Sequence, residues 1–194
     1  MNYNKSELNE ILNNGGVIAF VTDTVWGVGC LPNSQQAVKK IYEIKGRDTS
    51  KPLILMSNKI EYLKSYVKEF PPTAINLISR FFPGALTLVL AKSDKTPDYI
   101  TSNFDTVGIR IPNNKTFQQI CEDITGHVLA TTSANLSGQP SAKTYDEAKE
   151  FIGNFVDLVV TDREEYAQGL ESTVVLVTNT SVKVLRQGAV KIMA

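Results

Sequence analysis

The sequence predicts an α/β fold, with one domain over residues 1–194 built on an open, twisted, mixed β-sheet flanked by helices. Three observations predict it. Short runs of buried-strand type, such as Val17-Ile-Ala-Phe-Val21, alternate with segments that carry an apolar stripe at helical spacing. The two kinds of segment are mixed from one end to the other, which argues against separate helical and β halves. Hydrophobic residues make up 42% of the 194, enough to bury a core without staples. No linker, low-complexity tract or internal repeat interrupts the chain.

Each element can be justified in order. Ser6 to Asn13 reads as a short helix stopped by Gly15-Gly16. Val17 to Val21 is a buried strand, and Thr22 to Leu31 a loop rich in glycine and threonine. Asn33 with Gln36 has the spacing of a capping box, followed by an apolar face of Ala37, Val38, Ile41 and Tyr42. Leu53 to Met56 is a short strand. Asn58 with Glu61 starts a helix that turns Ile60, Leu63 and Val67 inward, and Pro71-Pro72 opens another that ends near Arg80. Leu86 to Leu90 and Val107 to Ile111 are strands. Phe117, Ile120, Cys121 and Ile124 mark a helix stopped near Gly126. Val128 to Thr132 is a strand that feeds the loop Ser133-Ala-Asn-Leu-Ser-Gly138, and Thr144 with Glu147 caps one more helix. Asp157–Thr161, Thr173–Val177 and Val182–Leu185 close the chain as strands, the last two joined as a hairpin at Asn179-Thr180.

Composition excludes several functions. Twenty basic and twenty acidic residues cancel, so a polybasic nucleic-acid binder is excluded by bulk charge, though a local basic patch is not. Cys30 and Cys121 lie outside any CxxC or Cys/His cluster and read as reduced, buried thiols, so no metal site is expected. The opening MNYNKSELNEILNNGG has no apolar stretch long enough for a signal peptide or membrane span. Cytoplasm is therefore the expected compartment, without a membrane partner. There is no P-loop, no HExxH and no GxSxG, and Gly27-Val-Gly29 fails the dinucleotide fingerprint. His127, without an acid or nucleophile motif beside it, reads as structural.

Four segments carry small polar or cationic residues at element ends, and each reads two ways. Thr22-Asp-Thr-Val-Trp-Gly-Val-Gly29 is either an ordinary turn or a strand end whose glycines let backbone approach a ligand. Lys45-Gly-Arg47, with Lys51 nearby, is either a helix C-cap with cations on the dipole or a phosphate clamp. Thr131 to Gly138, with Ser141 beyond, is either a self-satisfied loop or a set of hydroxyls and an amide that hold a nucleotide. Glu171-Ser-Thr-Val-Val, with Arg186-Gln-Gly188 at the end of the next strand, either places Ser172 and Arg186 at one end of a hairpin as a site or leaves Arg186 an ordinary surface residue of a strand.

Taken in order, TDTVWGVG, KGR, KPLI, FPGALTLVL, TVGIRIP, TSANLSG, ESTVV and RQG resemble the YrdC/TsaC family, the threonylcarbamoyl-AMP synthases. The resemblance runs from about residue 5 to residue 190, and its KxR and SxN signatures read Lys45-Gly-Arg47 and Ser133-Ala-Asn135. It implies a YrdC-like fold with a concave, positively charged ligand-binding cleft, without the extra C-terminal domain of larger relatives. It also implies a reaction of L-threonine, bicarbonate and ATP, with Mg²⁺, that yields threonylcarbamoyl-AMP and pyrophosphate for the t⁶A modification of tRNA. By resemblance, Thr24, Arg110, Thr131 and Ser172 fall where the family holds threonine. Lys45, Arg47, Lys51, Thr106, Ser133, Asn135, Ser141 and Arg186 fall where it holds ATP, with Lys45 and Arg47 as the catalytic cations. A downstream tRNA threonylcarbamoyl transferase complex is the implied partner, and contact with tRNA or double-stranded RNA is a further one. The chain departs from the family at Val21 (usually Pro), Trp26 (usually Tyr, here keeping an aromatic wall) and Met56 (often His).

The implied chemistry suits the residues. A carbamate oxygen attacking the α-phosphorus in line needs positioning and charge neutralisation more than a nucleophile or base. Competing readings are a double-stranded-RNA-binding protein of the YciO type, carbamoyl adenylation as in hydrogenase maturation proteins, and a nucleotide-binding protein of other output. A steep salt dependence of RNA binding would favour the first.

Overall fold

A computed structural model describes residues 2–46, 48–161 and 166–192. These form a nine-stranded mixed sheet flanked by helices, the predicted class. The strands are β1 (Ile18–Phe20), β2 (Gly27–Cys30), β3 (Ile54–Ser57), β4 (Leu86–Ala91), β5 (Thr106–Arg110), β6 (Val128–Ser133), β7 (Leu158–Val159), β8 (Thr173–Val177) and β9 (Val182–Arg186). They lie side by side as β7-β1-β2-β6-β3-β5-β4-β8-β9. β1/β7, β3/β5 and β4/β8 pair parallel, and the other neighbours pair antiparallel.

Four of the helices start where a side chain satisfies the free amides of a first turn. In α1 (Lys5–Asn13) the Asn4 side chain accepts from the Glu7 amide at 2.8 Å. In α2 (Gln35–Lys45) Ser34 accepts from the Ala37 amide, so the cap lies one residue beyond the expected Asn33. Gly46 ends α2 at φ +53°, the left-handed conformation that glycine adopts cheaply. α3 (Ile60–Leu63) is a single turn with no side-chain cap. Asn58 does not cap it: Lys59 holds the N-cap position, and the Asn58 amide nitrogen donates to Glu122. α4 (Pro72–Phe81) opens on Pro71-Pro72 as expected. α5 (Asp98–Thr101) is a further single turn that the periodicity missed. α6 (Lys115–Asp123) is capped by Asn114, and α7 (Tyr145–Ile152) by Thr144.

Two layers of side chains cover the sheet. On one face α2, α4 and α7 pack Ala37, Val38, Ile41, Leu77, Ala148 and Ile152 against Val28, Cys30, Leu55, Leu88 and Ile109. On the other, α1 and α6 pack Leu8, Leu12, Phe117, Ile120 and Cys121 against Ile18, Phe20 and Leu129. Both cysteines are free and buried. Burial pushes the Cys30 thiol up to about 12 and raises Cys121 as well, so neither is a thiolate at neutral pH.

The main correction concerns residues 22–31, read as a loop. Gly27–Cys30 is a buried strand in mid-sheet, between β1 and β6. The glycine pair hides it from a propensity reading, and packing requires the pair, although Gly27 also lines the cavity described below. A Cβ on Gly27 would lie 2.9 Å from the Phe20 ring, and one on Gly29 would lie 3.0 Å from it. The strand expected over 157–161 shortens to Leu158–Val159, where the Asp157 carboxylate accepts from the Val17 amide. The hairpin between β8 and β9 turns at residues 178–181, as read. His127 is structural: its Nδ1 lies 2.8 Å from the Cys121 carbonyl and its ring stacks on Tyr62.

Candidate active site

Side chains alternate across a strand, so one face of the sheet displays every second residue. Where α1 and α6 leave that face uncovered, these residues line a cavity of about 840 Å³, towards the top of the range of about 300–1,000 Å³ for small-molecule sites. β5 contributes Thr106, Gly108 and Arg110. β8 and the residue before it contribute Ser172, Val174 and Leu176. β6 contributes Thr131 and Ser133, β3 contributes Ile54 and Met56, and β4 contributes Thr87 and Val89. Lys45 at the end of α2, Lys51, Asn135, Glu171 and Arg186 complete the polar wall. Nine of the twelve predicted site residues line this one cavity.

Three do not. Thr24 is fully buried behind the wall, where its hydroxyl accepts from Arg110 Nη1 at 2.8 Å. It therefore touches the site through Arg110. Ser141 lies off the wall and donates to Glu171 at 3.2 Å. Arg47 lies outside the described residues. Trp26, expected as an aromatic wall, is fully buried in the opposite core against Tyr145 and does not line the cavity. Val21 is core as well, whereas Met56 does line the cavity.

The cavity holds three cationic groups that are fixed in place. Arg110, 2% exposed, donates from Nε to the Gly84 carbonyl at 3.0 Å, from Nη1 to Thr24 and from Nη2 to the Asp23 carboxylate. Burial presses its pKa down, Asp23 pulls it back up by charge and hydrogen bond, and Arg186 presses it down again, with a net lowering. Arginine nonetheless stays protonated at neutral pH. Arg186 pairs with Glu171 and donates to the Ser172 carbonyl at 3.0 Å and hydroxyl at 3.3 Å, so the two residues share one end of the hairpin as the sequence implied. Ser172 in turn bonds Thr87 at 2.9 Å.

The Lys45 ammonium, 2% exposed, donates to the carbonyls of Ser133 and Asn135 and to Asn135 Oδ1. Asn135 Oδ1 also accepts from Ser133 Oγ at 2.6 Å. The two halves of the KxR and SxN signature, 88 to 90 residues apart, thus meet directly. Thr131 donates to the Ile54 carbonyl at 3.2 Å. Lys51 lies at the rim and Thr106 at the start of β5.

Asp23 and Glu171, the carboxylates that hold Arg110 and Arg186, were not singled out by sequence reading. A signal for them existed: a guanidinium held in one place needs a counter-charge, above all one as buried as Arg110, and each acid sits beside a residue already implicated, in Asp23-Thr24 and Glu171-Ser172.

What the arrangement can do follows from its donors. Arg110 and Arg186 can bind two anionic groups side by side, and the hydroxyls between them can orient a ligand by neutral hydrogen bonds. Among the described residues there is no group of three or more His, Cys, Asp or Glu that could hold a metal ion, and Glu171 is the one carboxylate on the wall. No helix among them is long and apolar enough to cross a membrane.

Comparison with known proteins agrees with this architecture. The family model for Sua5, YciO and YrdC, described as "Telomere recombination", matches residues 10–188. A threonylcarbamoyl-AMP synthase of Pyrococcus abyssi is 39% identical over 175 residues, 90% of this chain but 51% of the relative, so the chain spans about half that protein's length. A threonylcarbamoyl-AMP synthase of Vibrio cholerae is 35% identical over 181 residues, 92% of this chain and 94% of the relative. The structure of P. abyssi Sua5 complexed with L-threonine superposes with a TM-score of 0.88 at 33% identity, over 97% of this chain and 56% of the other. The chain belongs to the Sua5/YciO/YrdC family.

Proposed function

We propose that this protein is a threonylcarbamoyl-AMP synthase, which joins L-threonine, bicarbonate and ATP into threonylcarbamoyl-AMP with release of pyrophosphate. The observation that carries the reading is the meeting, on one sheet face, of two arginines each fixed by its own carboxylate with hydroxyls from β6 and from Ser172 just before β8. The names of the relatives support the substrate assignment.

In this mechanism Arg110 pairs with the threonine carboxylate. Its Nε and one hydrogen on each terminal nitrogen are already engaged, which leaves two N–H groups for a bidentate contact. Thr131 and Ser172 lie on the same wall and hold the amino acid by neutral bonds. Arg186, with Arg47 and Lys51, neutralises the polyphosphate. Ser133, Asn135 and Thr106 orient the nucleotide, and Lys45 acts through the loop it holds. The threonine amine bonds the carbon of bicarbonate with loss of water, giving a carbamate; a carbamate oxygen attacks the α-phosphorus, the bond to the β-phosphate oxygen breaks, and pyrophosphate leaves with the charge. The wall's single carboxylate suits a Mg²⁺ ion that arrives on the nucleotide, with Glu171 within reach, better than a resident ion. Such an ion supplies further charge neutralisation at the phosphates.

The test is pyrophosphate release from ATP with and without L-threonine and bicarbonate. Release that requires both supports the reading. Release with carbamoyl phosphate in their place, or no release combined with tight, salt-sensitive binding of double-stranded RNA, rejects it.

A further inference from the structure

We propose that Lys45 is a positioning residue, whose ammonium fixes the loop Ser133–Gly138 to the end of α2 instead of contacting the phosphates. An ammonium has three N–H donors and no acceptor. All three are accounted for by protein oxygens, namely the Ser133 carbonyl, the Asn135 carbonyl and Asn135 Oδ1. A phosphate oxygen can gain a Lys45 donor only by displacing one of these. At 2% exposure, an acceptor left behind there loses a charge-assisted bond with little water to replace it.

The main chain reinforces the tie. The Ser137 amide donates to the Lys45 carbonyl at 2.8 Å, so this one residue holds the loop at three points along its length. With Oδ1 taken by Lys45 and Ser133, the Asn135 side chain turns its amide nitrogen to the Gln139 carbonyl, which closes the far side of the loop. Ser133, Asn135, Ser137 and Gly138 then stand on the cavity wall as a preset surface. In this arrangement Lys45 serves whatever part of the ligand meets the loop. A direct contact would serve the phosphates alone.

The two roles differ in what they do without ligand and in how they depend on phosphate number. The first arm is amide hydrogen exchange on ligand-free protein, wild type against Lys45→Met. The strut predicts exchange faster by about tenfold or more at Ala134–Ser137, with α4 unchanged. Unchanged loop exchange overturns it. The second arm is calorimetric binding of ATP, AMP and adenosine, and it rests on the synthase reading. A misplaced loop can cost about 100-fold, and the strut predicts a similar loss for all three. A loss confined to ATP and graded by phosphate number overturns it.

If the wild type binds no nucleotide, the synthase reading fails while the exchange arm still decides the role of Lys45. If Lys45→Met does not fold, amine labelling of the wild type decides it. The strut predicts Lys45 protected to the same extent with and without ATP, while the exposed Lys39 reacts. Protection that appears only with ATP overturns it.

Discussion

Replacing Asp23 by Asn removes the charge that balances Arg110 and changes almost nothing else in shape. The Arg110 side chain is 3% exposed and that of Asp23 11%, so the pair is shielded from water. Breaking a buried pair from one side costs about 3–5 kcal/mol, because a desolvated charge is left uncompensated. The asparagine oxygen can still accept from Nη2, and Arg110 keeps its bonds to Thr24 and Gly84, so the lower end applies, about 3 kcal/mol. In a domain of this length that corresponds to a fall of about 6–12 °C in melting temperature. Arg110→Met has a cost of its own, since the Asp23 carboxylate is then left behind. The double variant Asp23→Asn, Arg110→Met removes both charges and should recover at least about 2 kcal/mol relative to the sum of the single variants. Urea denaturation of the four proteins measures this coupling. An Asp23→Asn cost below about 1 kcal/mol, or additive single variants, would refute the argument that the pair is electrostatically closed.

Further outcomes follow from the same structure. Arg186→Met should lower kcat/KM for ATP by about 30- to 1000-fold, or about 2–4 kcal/mol, as read by steady-state kinetics at saturating threonine. Gly27→Ala brings a methyl to 2.9 Å from the fully buried Phe20 ring and 3.3 Å from the Thr132 carbonyl. It should cost about 1–3 kcal/mol in denaturant melts, and adding Phe20→Leu should relieve part of that. Burial pushes the Asp157 carboxyl up, but the bonds from Lys40 and the Val17 amide and the Lys40 charge outweigh it, so its pKa falls below the ordinary value. The stability it adds is therefore full above about pH 4 and lost as pH falls through the depressed value. Because the pair is more than a third exposed, that stability is about 1 kcal/mol or less, and the difference between wild type and Asp157→Asn should vanish in acid melts.

How much of this was legible in the sequence differs between elements. α4 and the β8/β9 hairpin could be read because periodicity, paired prolines and a turn agreed with their tertiary setting. β2 could not, because its glycines are explained only by the Phe20 ring packed across them from a neighbouring strand. Ile60, Leu63 and Val67 show a helical period, but α3 keeps it for a single turn only, and α5 is too short to show one. At the site, the ordered motifs brought nine of the predicted residues to one wall, since alternation along β5 and β8 turns them to the same face. Burial was not legible: nothing in Thr22-Asp-Thr-Val-Trp says that Thr24 and Trp26 lie behind the wall and only Thr22 and Val25 on it. Nor did the spacing of Lys45 and Asn135 say that they bond each other, a contact made where the end of α2 meets the loop after β6.

The synthase reading is tested most directly by identifying the product. Purified protein is incubated with ATP, L-threonine and ¹³C-bicarbonate, and the adenylates are resolved by mass spectrometry. One new adenylate that contains threonine and a single ¹³C is expected. Labelled carbon that never enters an adenylate, or an adenylate without threonine, would contradict the synthase reading.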